Sequence, residues 1–103
     1  MRDLEHVTGF QWDAGNAGKN LKHDVTDTEI EQIFFCHDLL VVQDKRHSSV
    51  ETRFHALGVT PAGRRLHVTF TLRAEGALIR VISARPMHRK ERAIYEAQAE
   101  KPA

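Results

Sequence analysis

One cysteine in 103 residues leaves no partner for an internal disulfide, and no C-x-x-C pair is present to hold a metal. The seven histidines include no pair at a ligand spacing such as H-x-x-x-H, so neither a metal nor another cofactor is expected. There is no glycine-rich phosphate loop, no internal repeat, no low-complexity tract and no Pro/Gly/Ser linker. No apolar run approaches the ~20 residues of a membrane-spanning helix. Residues 1–6 are polar and charged, with no secretory core behind them. These absences argue against a disulfide scaffold, a membrane span and a nucleotide-binding P-loop, and they predict a reducing cytoplasm. The lone Cys36 follows Ile33-Phe34-Phe35 and is expected as a buried, unreactive thiol.

What is present suits one globular domain over residues 1–103. Apolar residues make up 41%, too many for a disordered chain. The net charge is only +1, but it is unevenly spread. Residues 1–51 carry 5 Lys/Arg against 10 Asp/Glu, a net of −5, and residues 52–103 carry 10 against 4, a net of +6. Such asymmetry points to a nucleic acid or a charged partner, or to a surface on which folding mixes the halves.

Phe10-Gln11-Trp12 reads as a short first strand, and Asp13 as the cap of a weak helix over residues 14–22, with Gly15 and Gly18 inside it. Thr26-Asp27-Thr28-Glu29 is a capping box, with Val25 and Ile30 in the hydrophobic-staple positions. Ile30, Ile33 and Phe34 continue that helix to Phe35 or Cys36. Strands are predicted over residues 39–44, 53–59, 66–72 and 78–84. The third alternates strictly, with Leu66, Val68, Phe70 and Leu72 on one face and His67, Thr69 and Thr71 on the other. Thr60-Pro61-Ala62-Gly63 is a turn, and Gly76 closes the next hairpin. Pro86 suits the first turn of a last helix over residues 86–99. That helix carries His88, Arg89, Lys90 and Arg92 at its positive end, a conflict with the helix dipole that requires a nearby anion. Residues 101–103 are expected to fray. The expected architecture is α+β: a short N-terminal strand and two helices, a four-stranded antiparallel sheet, and a C-terminal helix.

Two cationic stretches stand out, Arg46-His47-Ser48-Ser49-Val50-Glu51-Thr52-Arg53 and Arg80-Val81-Ile82-Ser83-Ala84-Arg85. They supply what phosphodiester cleavage without a metal needs: groups that move protons and cations that hold a pentacovalent phosphate. Glu51 and His47 are the candidate acid–base pair, with His23 as the alternative base. Glu51 could instead pair with Arg53 or Arg46, His47 could cap a loop, and His23 could complement a helix C-terminus. Arg53, Arg80 and Arg85 are candidate phosphate clamps, because the guanidinium fork matches phosphate oxygens. In a regular strand Arg80 and Arg85 face opposite sides, so Arg85 joins Arg80 only by leaving the strand before Pro86. Arg85 could otherwise order the last helix or pair with Asp13. Lys19 and Lys22 could bind backbone phosphates or be plain solvated lysines. Phe10 and Trp12 could stack on bases, but the core is the stronger reading.

In order along residues 10–96, three stretches resemble the BrnT family of type II toxin–antitoxin ribonucleases. They are Phe10-Gln11-Trp12-Asp13 with Asn20, Lys22-His23 and Val25; Arg46-His47-Ser48 with Glu51, Arg53 and Leu57-Gly58; and Arg80 to Arg85 with Arg89-Lys90-Glu91-Arg92 and Tyr95. The resemblance implies a RelE-like fold and endonucleolytic cleavage of RNA without a metal. With the chemistry above, His47, Glu51, Arg53, Arg80 and His23 are the candidate catalytic residues, and Lys19, Lys22, Arg85 and Arg89 the candidate RNA-binding ones. It implies a BrnA-like, DNA-binding antitoxin that neutralises the toxin in a hetero-oligomer, with operator DNA bound only through that complex. A non-catalytic module that binds RNA or the antitoxin is the alternative.

Overall fold

In the computed structural model, which describes residues 4–46 and 51–99, the alternating stretches form one sheet and the capping box begins a helix. The strands are β1 (Gly9–Phe10), β2 (Leu40–Asp44), β3 (Arg53–Val59), β4 (Arg65–Arg73) and β5 (Leu78–Pro86). The helices are α1 (Asp27–Ile33) and α2 (Arg89–Ala99), with a 3-10 helix at Lys19–His23. The architecture is α+β, and the sheet corrects the expected one. It has five strands in the order β1-β5-β4-β3-β2, and it is mixed, because β1 runs parallel to β5 while the other pairs are antiparallel. The N–H groups of Thr8 and Gln11 reach the carbonyls of Ala77 and Ile79, both at 2.8 Å, so the first strand is part of the sheet.

β1 is too short to cover β5, and two buried asparagines continue its work. Asn16 donates its side-chain amide to the Val81 carbonyl at 3.1 Å, and the Asn20 amide oxygen accepts from the Ala84 N–H at 2.8 Å. Buried backbone groups are costly to leave unpaired, so these contacts close an otherwise open edge. They also replace the expected helix over residues 14–22. Gly18 sits in the left-handed region at φ +68°, which an α-helix does not allow, and only the tighter 3-10 helix follows it.

At α1 the local expectation holds. The Thr26 hydroxyl accepts from the Glu29 N–H at 3.1 Å, and the Glu29 carboxylate accepts from the Thr26 N–H at 3.0 Å. Val25 and Ile30 are fully buried on either side of this cap. The helix ends at Ile33, two to three residues earlier than expected. Its apolar side covers one face of the sheet, where Phe54, Ala56, Val68, Phe70, Val81 and Ala84 lie almost wholly buried. Phe34 meets Phe70 edge-on at 5.2 Å. Gly58 leaves room for the C-terminal end of α1 against β3, since a Cβ there would lie 3.0 Å from the Ile33 Cβ and from Cys36 Sγ.

Met87, just before α2, and Tyr95 of α2 pack against Leu40 and Leu57 at one end of the opposite face. Burial pushes the Tyr95 hydroxyl up to about 12, beside Cys36 Sγ at 3.9 Å. The helix starts later than expected, because Pro86 is the last residue of β5, paired with Leu66. The anion required at its positive end is its own Glu91, which accepts from the His88 N–H at 2.8 Å.

Candidate active site

Residues paired across neighbouring strands point to the same side of a sheet. Asp44 pairs with Arg53, Arg53 with Thr71, and Thr71 with Arg80, so one row crosses β2, β3, β4 and β5 on the face away from α1. Two candidate clamps, Arg53 and Arg80, thus stand two strand spacings apart, about 10 Å between Cα atoms. Thr71 is buried between them and donates its hydroxyl to the Thr52 carbonyl at 2.7 Å.

Arg80 is held from the N-terminal segment. It donates to Asp13 Oδ2 at 2.8 Å, to Asp13 Oδ1 at 3.1 Å and to Gln11 Oε1 at 3.1 Å. The Arg80 guanidinium, with a further bond from the Gly15 N–H, holds the Asp13 carboxyl below its ordinary value. Asp13 in turn raises Arg80, and Glu51 adds to that effect at longer range. Gly15 allows the approach, since a Cβ there would meet the guanidinium at 2.9 Å. A guanidinium has five N–H donors, and these three bonds leave two for an outside anion. Glu51 lies at the same end of the row and pairs with Arg73 at 3.1 Å, not with Arg53 or Arg46.

β4 and β5 slip by one residue at this place. Thr69 pairs with Ser83 and Phe70 with Val81, so Ile82 is an extra residue and β5 bulges. The bulge reverses the alternation. Arg85, still within β5 and paired with His67, therefore faces the same side as Arg80. This corrects the expectation that Arg85 shares that side only by leaving the strand. Arg85 is engaged by Glu91 through two bonds of 2.8 and 2.9 Å, and so orders the start of α2 rather than pairing with Asp13. Those bonds hold the Glu91 carboxyl down to about 2.

Two residues along β3 from Arg53 lies a polar group that no sequence motif marks. His55 Nε2 is 2.8 Å from Asp44 Oδ2, and His55 Nδ1 is 3.0 Å from Thr69 Oγ1. Its ring lies 4.9 Å from that of His67. Burial lowers His67 to about 4, so it is neutral near pH 7. The available signal was two histidines at outward positions of otherwise apolar strands.

The other candidates are dispersed. His47 lies outside the described residues, as do residues 101–103. Lys19, Lys22 and His23 are exposed on the 3-10 helix, which packs along β5. Arg89 is exposed at the start of α2. Trp12 is partly buried against the core and donates its indole N–H to Glu31 at 2.7 Å, which favours the structural reading. Among the described residues no three His, Cys, Asp or Glu side chains gather to hold a metal ion, and no helix is long and apolar enough to cross a membrane.

The sequence model of the family described as ribonuclease toxin, BrnT, of type II toxin–antitoxin system matches residues 12–91. That span includes the whole arginine row, from Asp13 to Arg80, and extends to Glu91. No curated protein matches the chain.

Proposed function

From the premise that the chain belongs to the BrnT family of type II toxin–antitoxin ribonuclease toxins, we propose that it cleaves RNA endonucleolytically without a metal, on the sheet face that carries Arg53 and Arg80. Family membership makes it a toxin with RNA as substrate and an antitoxin as partner. The observation that carries the site is the row Arg53–Thr71–Arg80, with Glu51 at its end. In this reading the ribose 2′-hydroxyl attacks the adjacent phosphorus. Arg53 and Arg80 hold the phosphate oxygens and stabilise the added charge. Asp13 and Gln11 keep the Arg80 side chain in place, so little is lost in ordering it when phosphate arrives. Glu51 and His47 move protons, with His23 as the alternative base. Lys19, Lys22, Arg85 and Arg89 flank the face and draw in the RNA backbone.

The fold is read as RelE-like, in one domain, and the protein as cytoplasmic. The partner is read as a BrnA-like antitoxin that forms a hetero-oligomer with the toxin and carries the contacts to operator DNA.

The test is cleavage of a labelled RNA by the purified chain in EDTA. Arg80→Ala and Glu51→Ala should each slow cleavage at least about 10²-fold, with circular dichroism unchanged. Full cleavage by both variants refutes the site, and loss of cleavage on chelation refutes the metal-free mechanism. A second reading, a non-catalytic module that holds RNA or the antitoxin, is favoured by one observation. Arg73, Arg80 and Arg85 are all engaged by carboxylates of the same chain. It predicts retarded RNA with no products, and affinity that falls steeply with salt.

A further inference from the structure

The geometry points to His55 as the group that receives the proton of the attacking 2′-hydroxyl, through Thr69 and with Asp44 holding the ring. This rests on the RNA-cleaving reading above and deepens it: the base's role, shared there among Glu51, His47 and His23, passes to His55, and Glu51 stays on the side of the leaving 5′-oxygen. As a carboxylate, Asp44 can only accept a hydrogen bond. Nε2 of His55, at 2.8 Å from it, therefore carries the hydrogen. Nδ1 then presents its lone pair, and the Thr69 hydroxyl at 3.0 Å is the donor. The result is a carboxylate–imidazole–hydroxyl chain across β2, β3 and β4, the arrangement by which proteins draw a proton from an oxygen at neutral pH.

Its place suits the chemistry. His55 is two residues along β3 from Arg53, and Thr69 two residues along β4 from Thr71, each a step of about 7 Å on the same face. A phosphate held over the arginine row has its ribose on the side of Thr69, whose side chain is mostly buried, with 8% of the residue exposed. The ring is oriented but not sealed, with 29% of the His55 side chain exposed against 10% for Asp44. Among the described residues, the charged and titratable groups that face it are Asp44 from β2, Arg53 on its own strand and His67 from β4, with Arg85 from β5 and Glu91 from α2 beyond His67.

The step balances without an added reagent beyond water. The 2′-hydroxyl proton passes to Thr69 Oγ1 as the Thr69 proton passes to His55 Nδ1. The 2′-oxygen forms its bond to phosphorus, and the bond from phosphorus to the 5′-oxygen breaks. The leaving oxygen takes a proton from water, and the imidazolium later returns its proton to solvent. The products are a 2′,3′-cyclic phosphate and a 5′-hydroxyl.

The bland role for the same residues is a polar ladder that holds three strands together, and the test must separate the two. Cleavage of a labelled oligoribonucleotide in EDTA is measured from about pH 5 to pH 9, the range in which imidazole titrates. Thr69→Val keeps the shape and should lower the rate at least about 100-fold, and Thr69→Ser, which keeps the hydroxyl, should recover at least about 10-fold of that loss. His55→Ala should lose a similar factor, lose the acidic limb of the pH profile and regain activity with added imidazole. Asp44→Asn should lower the rate and displace that limb. Wild-type rates in Thr69→Val or His55→Ala overturn the proposal. So does a loss with an unchanged pH profile and no rescue, which marks the ladder alone. If wild type binds RNA but never cuts it, the functional reading falls together with this one. If wild type cuts and the variants cut equally, only this inference falls.

Discussion

His67 offers a stability test that does not depend on activity. Its ring is only 13% exposed, and burial lowers it from 6.5 to about 4. The Glu91 carboxylate opposes that shift, while Arg85 and His55 add to it. The folded state therefore prefers the neutral ring. The unfolded chain takes up a proton once the pH falls below 6.5, and the folded one only near 4. The contribution is fully present above 6.5 and is lost as the pH drops from 6.5 toward 4. Each pH unit of separation is worth ~1.4 kcal/mol, so the ceiling is about 3 kcal/mol, and about 2 kcal/mol is expected at pH 4.5. Urea unfolding followed by the fluorescence of Trp12, the single tryptophan, reads this directly. Wild type and His67→Gln are compared at pH 7 and pH 4.5. His67→Gln also removes the ring contact with His55, so only the change between the two pH values counts. His67→Gln should lose about 2 kcal/mol less than wild type. Equal losses in both proteins refute the burial argument.

Three further outcomes follow from the packing. Glu91 is held from 4.5 down to about 2, chiefly by Arg85. Its stabilisation is present above 4.5 and lost as the pH falls toward 2, and Glu91→Gln should remove about 1–2 kcal/mol of acid dependence after solvent screening, read by unfolding at pH 5 and pH 2.5. Gly58→Ala places a methyl 3.0 Å from the Ile33 Cβ and 3.1 Å from its carbonyl oxygen, and should cost ~1–3 kcal/mol in urea unfolding because backbone must move. Asn20→Ala leaves the Ala84 N–H without its acceptor, and should cost ~1–3 kcal/mol and speed hydrogen exchange at Ala84.

Much of the local structure was legible in the chain. The Thr26–Glu29 box set the start of α1, and the alternation of Leu66 to Leu72 set which side of β4 meets the core. The strand over residues 53–59 appeared with the expected bounds. Errors came where distant contacts overrode local preference. The weak helix before Lys19 gave way to a turn that places two asparagines on β5. Pro86, a favourable helix opener, was kept by the ladder with Leu66. Of the site, the arginines were visible by type and by family motif. The Asp44–His55–Thr69 chain was not, because its members come from three strands whose register no short motif encodes.

By itself the sequence determined the α+β class, the Thr26–Glu29 cap, the hairpins and the family, because these depend on residues near one another or on motifs in order. Tertiary structure alone decided which charges share a surface. Asp13 holds Arg80 across 67 positions, and β1 joins the sheet beside β5. The single extra residue at Ile82 turns Arg85 to the side of Arg80. A strand alternates with period two, so one unpaired residue exchanges its faces beyond that point, and only the pairing with β4 reveals where it lies.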